Sequence, residues 1–446
     1  MSRIKVTVKL ALAVGALWAG LGIAAALDLP SLPAPGMPSI PTPGLPGVGG
    51  VGGIARDTVG RATGTVGRAT RLPSPNVPRD GIGRPIQPEA YETDRLGVRI
   101  MRGEIIAISP SAASLRTARS LNFSIGRTRN LDRLGLKVVV LRAPRGMSAR
   151  NALKRLRALD PAGRYDVNHL FDPAGGTGTS IAAASVASGA IRGDGKRIGL
   201  VDGGIDESHP AFKSARLAMM NAVANEPPLV TAHGTALASL LVGESQGFTG
   251  AFPGATLYAA DVFGGEERGG AADSVARGLE WLAQKQVPVI AMSLAGPENL
   301  LIKAAIEAMV ARGFIIVAAA GNDGPAAPPV YPGAYPGVIA VTSVDDRRKL
   351  QLDAGRGPHI AFASLGVDVK AAKVGGDYAT ITGTSYAVPK VSAHFAAAMD
   401  GPDPTAAARV LESVKSEAID LGDPGRDDSY GYGYLDGATP TASLTP

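Results

Sequence analysis

No cysteine occurs anywhere in the chain, so no disulfide can hold it together, a composition that export permits without requiring it. Long apolar runs are scarce too. Apart from one near the amino terminus, no segment is long enough to span a bilayer. Glycine is abundant but does not recur at every third position, which excludes a collagen-like helix. No G-x-G-x-x-G follows the first strand pattern of the second half. R-G-D-G-K-R at 192–197 lacks the spacing and the Ser/Thr of a P-loop, and a Rossmann-type nucleotide enzyme is thereby excluded. Lys and Arg number 45 against 39 Asp and Glu, but the basic half is arginine-rich without a binding motif, so nucleic acid is not an expected partner. No compact acidic loop marks a metal site. Asp345 and Asp346 read as surface turns.

What is present divides the chain. The first nine residues carry Arg3, Lys5 and Lys9 and no acid; Leu10 to Leu27 is uncharged and mostly apolar, with A-A-A at 24–26. This pattern predicts a signal peptide or a membrane anchor over 1–27, and export in either case. In the anchored case the segment attaches the protein to a membrane. Residues 28–95 form a Pro/Gly-rich stretch that includes P-S-L-P-A-P-G-M-P and the tandem pair T-V-G-R-A-T-G, T-V-G-R-A-T-R. They are expected to be a disordered, solvated linker. Residues 96–172 follow the order β-α-β-β-α-β, that of a small ferredoxin-like α+β unit. Residues 173–190 are glycines and small side chains, read as a flexible loop. From 191 to 437 apolar strand runs alternate with helical patterns. That alternation predicts one α/β domain, a doubly wound, mainly parallel sheet with helices on both faces. Residues 438–446 are expected to be a disordered tail.

Charge separates the two folded parts. Residues 28–190 hold 22 basic and 11 acidic side chains, and residues 191–446 hold 20 basic and 28 acidic. Opposite signs favour docking of one part on the other.

Four segments of the second half carry chemistry. Asp202 ends the apolar run Ile198–Val201 and precedes Gly203 and Gly204, which places a carboxylate at the carboxyl end of a strand. Of the five histidines, only His233 opens a small-residue, apolar helix, H-G-T-A-L-A-S-L-L-V-G. Ser385 stands in G-T-S-Y-A-V-P, between a strand-like stretch and the apolar segment Val388–Met399. A serine hydroxyl is a weak nucleophile without a base, and the base needs an orienting carboxylate. The order Asp, His, Ser is one of those in which such a triad occurs. Asn322 ends the apolar run Phe314–Ala320 in A-A-A-G-N-D.

On these motifs the chain resembles the subtilisin family of serine proteases, from about Arg197 to Asp436. The resemblance implies an exported serine endopeptidase with Asp202, His233 and Ser385 as the triad and polypeptides as substrates. It assigns the oxyanion donor to Asn322, together with the backbone N–H of Ser385. It makes Ser293, Leu294, Ala295 and Gly296 the edge that pairs with substrate backbone, and it puts Pro389 inside the nucleophile's helix. It also makes residues 96–172 an inhibitory, chaperoning propeptide that acts in cis, with self-cleavage expected in the loop Asp172–Gly189. No cofactor is implied by a recognisable motif, although calcium sites are common in the family.

The chain departs from the family pattern at several positions. Gly203 stands where a Thr or Ser usually supports the aspartate, Ala236 replaces a second histidine, and Tyr386 and Lys390 replace a Met and a His. Val330 replaces a glycine on the floor of the main specificity pocket, so small or medium apolar residues are expected on the acyl side of the cut. A catalytically silent binding protein on the same scaffold is the rival reading.

Overall fold

The computed structural model describes residues 90–94, 97–174, 190–224, 226–265 and 269–435. The expected leader, nearly all of the linker, the tail and most of the 173–190 loop lie outside the described residues. No helix among the described residues is long and apolar enough to cross a membrane.

The larger part is built on seven strands: β6 (Arg197–Asp202), β7 (Arg216–Asn221), β8 (Thr256–Asp261), β9 (Val289–Met292), β10 (Ile315–Ala319), β11 (Val338–Val344) and β12 (Ile360–Leu365). They form one sheet in the order β12-β11-β10-β9-β6-β8-β7, and every pairing is parallel. Successive side chains in a strand face opposite sides, and here both sides are apolar. Leu200, Val289, Ile315 and Val317 join the core beneath α3 (Ala232–Val242), α6 (Thr384–Ala398) and α7 (Pro404–Glu417). Their neighbours Val201, Ile290, Ile316 and Ala318 join the core beneath α4 (Ala272–Gln284) and α5 (Leu300–Val310). Burial on both faces explains why these strands read as continuous apolar runs.

The smaller unit contains β1 (Tyr91–Thr93), β2 (Arg99–Ile108), α1 (Ala112–Ser120), β3 (Ser124–Leu131), β4 (Leu136–Arg142), α2 (Ala149–Leu159) and β5 (Tyr165–Pro173). Its sheet order, β5-β2-β4-β3, is antiparallel throughout. Ser111 and Ser148 accept hydrogen bonds from Ser114 N and Asn151 N, which caps both helices. Two boundaries differ from the sequence reading. Tyr91–Thr93, placed in the linker, pairs with Arg99–Met101 and belongs to the folded unit. Pro173, placed in the flexible loop, continues β5, because that strand finds further pairing partners on the larger part.

The two parts share a core. One face of the small sheet packs under its own helices (Ile105, Val139, Val167). The other face, with Ile106, Ile108 and Val138, packs with Leu279 and Ala283 of α4. Polar contacts then fix the register. Glu280 of α4 accepts Arg133 N at 3.0 Å and Leu134 N at 3.1 Å. Asp166 of β5 accepts Leu300 N at 2.8 Å, satisfying a free N–H of the first turn of α5. Arg127 bridges Glu104 of its own unit (2.8 Å) and Asp273 of α4 (3.1 Å), and Asn168 donates to both carboxylates at 2.9 Å. Asn299, which caps α5, donates to Val167 O and to His169 Nδ1 at 3.1 and 3.0 Å. Burial in this joint holds the His169 imidazole below its ordinary pKa.

Candidate active site

Asp202 is the last residue of β6 and is buried. Its carboxylate oxygens lie 2.9 and 3.0 Å from His233 Nδ1, and Oδ1 also accepts Gly203 N at 2.8 Å. His233 is the second residue of α3, whose N-cap is Thr231; the Thr231 hydroxyl accepts Gly234 N at 3.1 Å. The same threonine explains Gly203: a Cβ there would lie 2.2 Å from Thr231 Oγ1. The space a Thr or Ser side chain would take at 203 is filled by the cap of the histidine helix. Asp202 keeps a backbone partner in place of a hydroxyl.

Ser385 is the second residue of α6, fully buried at the mouth of the sheet. Pro389 lies inside the same helix. The serine's neighbours place it between the other groups. Thr384 N donates to Asn322 Oδ1 at 3.0 Å, and the Tyr386 ring centroid is 5.7 Å from that of His233. Ser293 Oγ donates to Ser385 O at 3.2 Å. His233 Nε2 and Ser385 Oγ are both buried, and neither has a hydrogen-bond partner among the described residues. The link from carboxylate to imidazole is therefore closed, and the link from imidazole to alcohol is open.

Asp261, a residue the sequence reading passed over, pairs in register with Asp202 on the adjacent strand. It accepts Leu229 N, Phe263 N and Gly264 N at 2.8–3.0 Å and so fixes two loops beside the histidine. Burial raises its carboxyl above the ordinary range, against the pull of those three N–H groups.

A strand of the chain itself lies in the cleft. The end of β5 runs antiparallel to Leu294–Ala295 on one side, with Pro173 opposite Leu294 and Asp172 opposite Ala295. On the other side Phe171 pairs with Gly270 and Leu170 with Ala271. Ala174 N donates to Ser293 O at 2.8 Å, and Ala174 O accepts a hydrogen bond from Asn322 Nδ2. Gly296 pairs with Tyr331 instead of with β5. It makes room all the same, because a Cβ at 296 would lie 2.5 Å from the buried Phe171 ring. Val330 is half-buried against Gly321, where a Cβ would lie 2.8 Å from its Cγ2, one residue before Asn322. Among the described residues no group of three or more His, Asp or Glu could hold a metal ion.

Comparison with known proteins agrees with this architecture. Residues 193–433 match the model of the subtilase family, peptidase S8. The chain is 30% identical over 259 residues to subtilisin DY of Bacillus licheniformis, a match covering 57% of this chain and 92% of that protein. It is 29% identical over 208 residues to the minor extracellular protease Epr of Bacillus subtilis (strain 168), covering 46% of this chain but only 32% of that longer relative. The crystal structure of fervidolysin from Fervidobacterium pennivorans, described as a keratinolytic enzyme related to subtilisin, has a TM-score of 0.64 at 19% identity. That likeness in fold covers 79% of this chain and 63% of that one, a larger share of this chain than residues 193–433. With the family model matched over more than half of its length, the chain belongs to the subtilase family of serine endopeptidases.

Proposed function

We propose that the protein is an exported serine endopeptidase made as a self-cleaving zymogen, and that the bond it cuts in itself is Ala174–Gly175. The observation that carries this reading is the Ala174 carbonyl oxygen bound by Asn322 Nδ2, on a strand paired with Leu294–Ala295. A substrate carbonyl held this way faces a donor suited to an oxyanion.

The chemistry follows from the positions. His233 Nε2 takes the Ser385 Oγ proton as Oγ bonds to the Ala174 carbonyl carbon. Asp202 keeps Nδ1 protonated and stabilises the imidazolium. The oxyanion lies between Asn322 Nδ2 and the N–H of Ser385, which sits in the first turn of α6 and needs no intrahelical partner. Collapse breaks the bond to Gly175, whose amine leaves with the proton from Nε2. Water then releases the acyl group by the same steps. Residues 97–174 act as inhibitor in cis, because their last strand fills the cleft. Export rests on the basic, then apolar, amino-terminal pattern and on the extracellular relative named above.

A fluorophosphonate probe tests the reading, since only an activated serine reacts. Labelling is expected on Ser385 once the small unit has been removed, and the processed protein is expected to begin at Gly175 on amino-terminal sequencing. An unlabelled protein that carries the intact small unit would instead favour the silent binding scaffold.

Specificity follows from the strand in the cleft. Alanine precedes the cut, in keeping with a pocket narrowed by Val330, and an aromatic ring enters three residues earlier. Gly296→Ala is expected to lower kcat/KM about tenfold or more for peptides with Phe at that earlier position, the consequence of overpacking by a methyl group. Peptides with Ala there should be cut almost as before. Equal losses on both peptides would separate Gly296 from the aromatic site.

A further inference from the structure

We infer that Gln351 is a positioning residue that aims the oxyanion-hole amide of Asn322; the inference rests on the role proposed above for Asn322. An asparagine amide presents two nearly isosteric faces, and only the Nδ2 face can stabilise an oxyanion. Something must therefore decide which face meets the substrate. Asn322 Oδ1 has two lone pairs, and both are engaged from behind: Thr384 N donates at 3.0 Å and Gln351 Nε2 donates at 3.0 Å. With Oδ1 held between two donors, Nδ2 turns toward the Ala174 carbonyl.

Gln351 is equipped to hold that orientation. It is buried, with 7% of its surface exposed. Its backbone N donates to Ser343 O at 3.0 Å, at the end of β11. Its side-chain Oε1 accepts the Ser343 hydroxyl, so its own amide cannot turn over without losing that bond. Nε2 is then left to donate to Asn322 Oδ1 and, at 2.7 Å, to Asp353 Oδ1. The chain Ser343–Gln351–Asn322 runs from a rigid strand to the reacting carbonyl, and each link has one sense of donation. Gln351 itself touches no substrate atom. Its effect is to keep the donor in place before charge develops, when preorganisation lowers the barrier.

The test is a double-substitution cycle on the self-processed enzyme, with kcat referred to active sites counted by burst titration. Gln351→Met, which keeps length but removes both amide functions, is expected to lower kcat roughly ten- to hundredfold with KM changed less than about twofold. In an Asn322→Ala background the same substitution is expected to have no further effect, because there is no amide left to aim. Gln351→Glu, nearly isosteric but without the donor, should repeat the loss at neutral pH and serves if the methionine variant fails to fold. An unchanged kcat, or the same factor lost in both backgrounds, would overturn this inference and leave Asn322 as the donor. A wild-type kcat in Asn322→Ala alone would overturn the oxyanion reading and this inference with it.

Discussion

Ser385→Ala is expected to leave the protein full length and to lower peptide hydrolysis about a millionfold, the size of loss known for a subtilisin that loses this serine and not a value derived from the present geometry. The reason for expecting both effects at once lies in the strand that occupies the cleft. If Ala174 already lies on the oxyanion donor, cutting it and cutting a peptide use the same oxygen nucleophile. Removing that oxygen must stop both. Intact mass measurement of the variant reads the first effect and a chromogenic peptide reads the second. A small amount of wild-type enzyme added to the variant should trim it at Ala174–Gly175, since recognition of the sequence survives the substitution. A variant that shortens itself unaided would show that the cut belongs to another catalyst, and the reading of the β5 end as substrate would fall.

Why the cleaved unit should remain an inhibitor also follows from the contacts. The bond proposed as the cut lies after β5, so the contacts that dock the small unit through its sheet and helices would survive cleavage. Glu280 still holds Arg133 N and Leu134 N, and Arg127 still ties Glu104 to Asp273. Hydrogen bonds to charged groups contribute about 1.5–3 kcal/mol each, and the shared apolar core adds to them. Cleavage alone therefore does not open the cleft. Release needs the small unit to be degraded or unfolded, and its arginine-rich surface and modest size make it the weaker partner for both.

Much of this was legible in the residues. The end of β6 at Asp202, the opening of α3 at His233 and the helix after Ser385 each carry a local signal: an apolar run that stops at glycines, or small residues where a helix must pack tightly. Two strands have a weaker local signal, β7 and β12, which are the two edges of the sheet. Arg216–Asn221 carries the short apolar run Leu217–Met220, but its alanine and methionines suit a helix as well as a strand, and it is only half-buried along most of its length. Ile360–Leu365 is fully buried, but it follows a glycine- and arginine-rich loop that hides its start. Two other features depend on long-range register and have no local signature. One is Ala174, a small residue among many until the pairing of Pro173 with Leu294 singles it out. The other is Gln351, an ordinary surface-type residue whose role is set by what the fold puts behind Asn322.

Asp202→Asn is the second large effect, and it should differ from the first in kind. The carboxylate oxygens at 2.9 and 3.0 Å accept a hydrogen bond from Nδ1–H, which keeps the proton on Nδ1 and leaves Nε2 unprotonated and able to act as a base. An amide in the same place can donate from its nitrogen, and His233 then carries its proton on Nε2. In that tautomer the imidazole has nothing to offer the Ser385 hydroxyl, and kcat is expected to fall about ten-thousandfold with KM nearly unchanged. The serine and both oxyanion donors remain, however, so the chemistry is slowed and not abolished. Full-length protein should accumulate first and then shorten over hours, whereas Ser385→Ala should never shorten. A time course of intact mass on the two variants separates them. Processing of Asp202→Asn at the wild-type rate would mean that the buried carboxylate does not set the tautomer of His233. Its 1% exposure would then reflect packing alone.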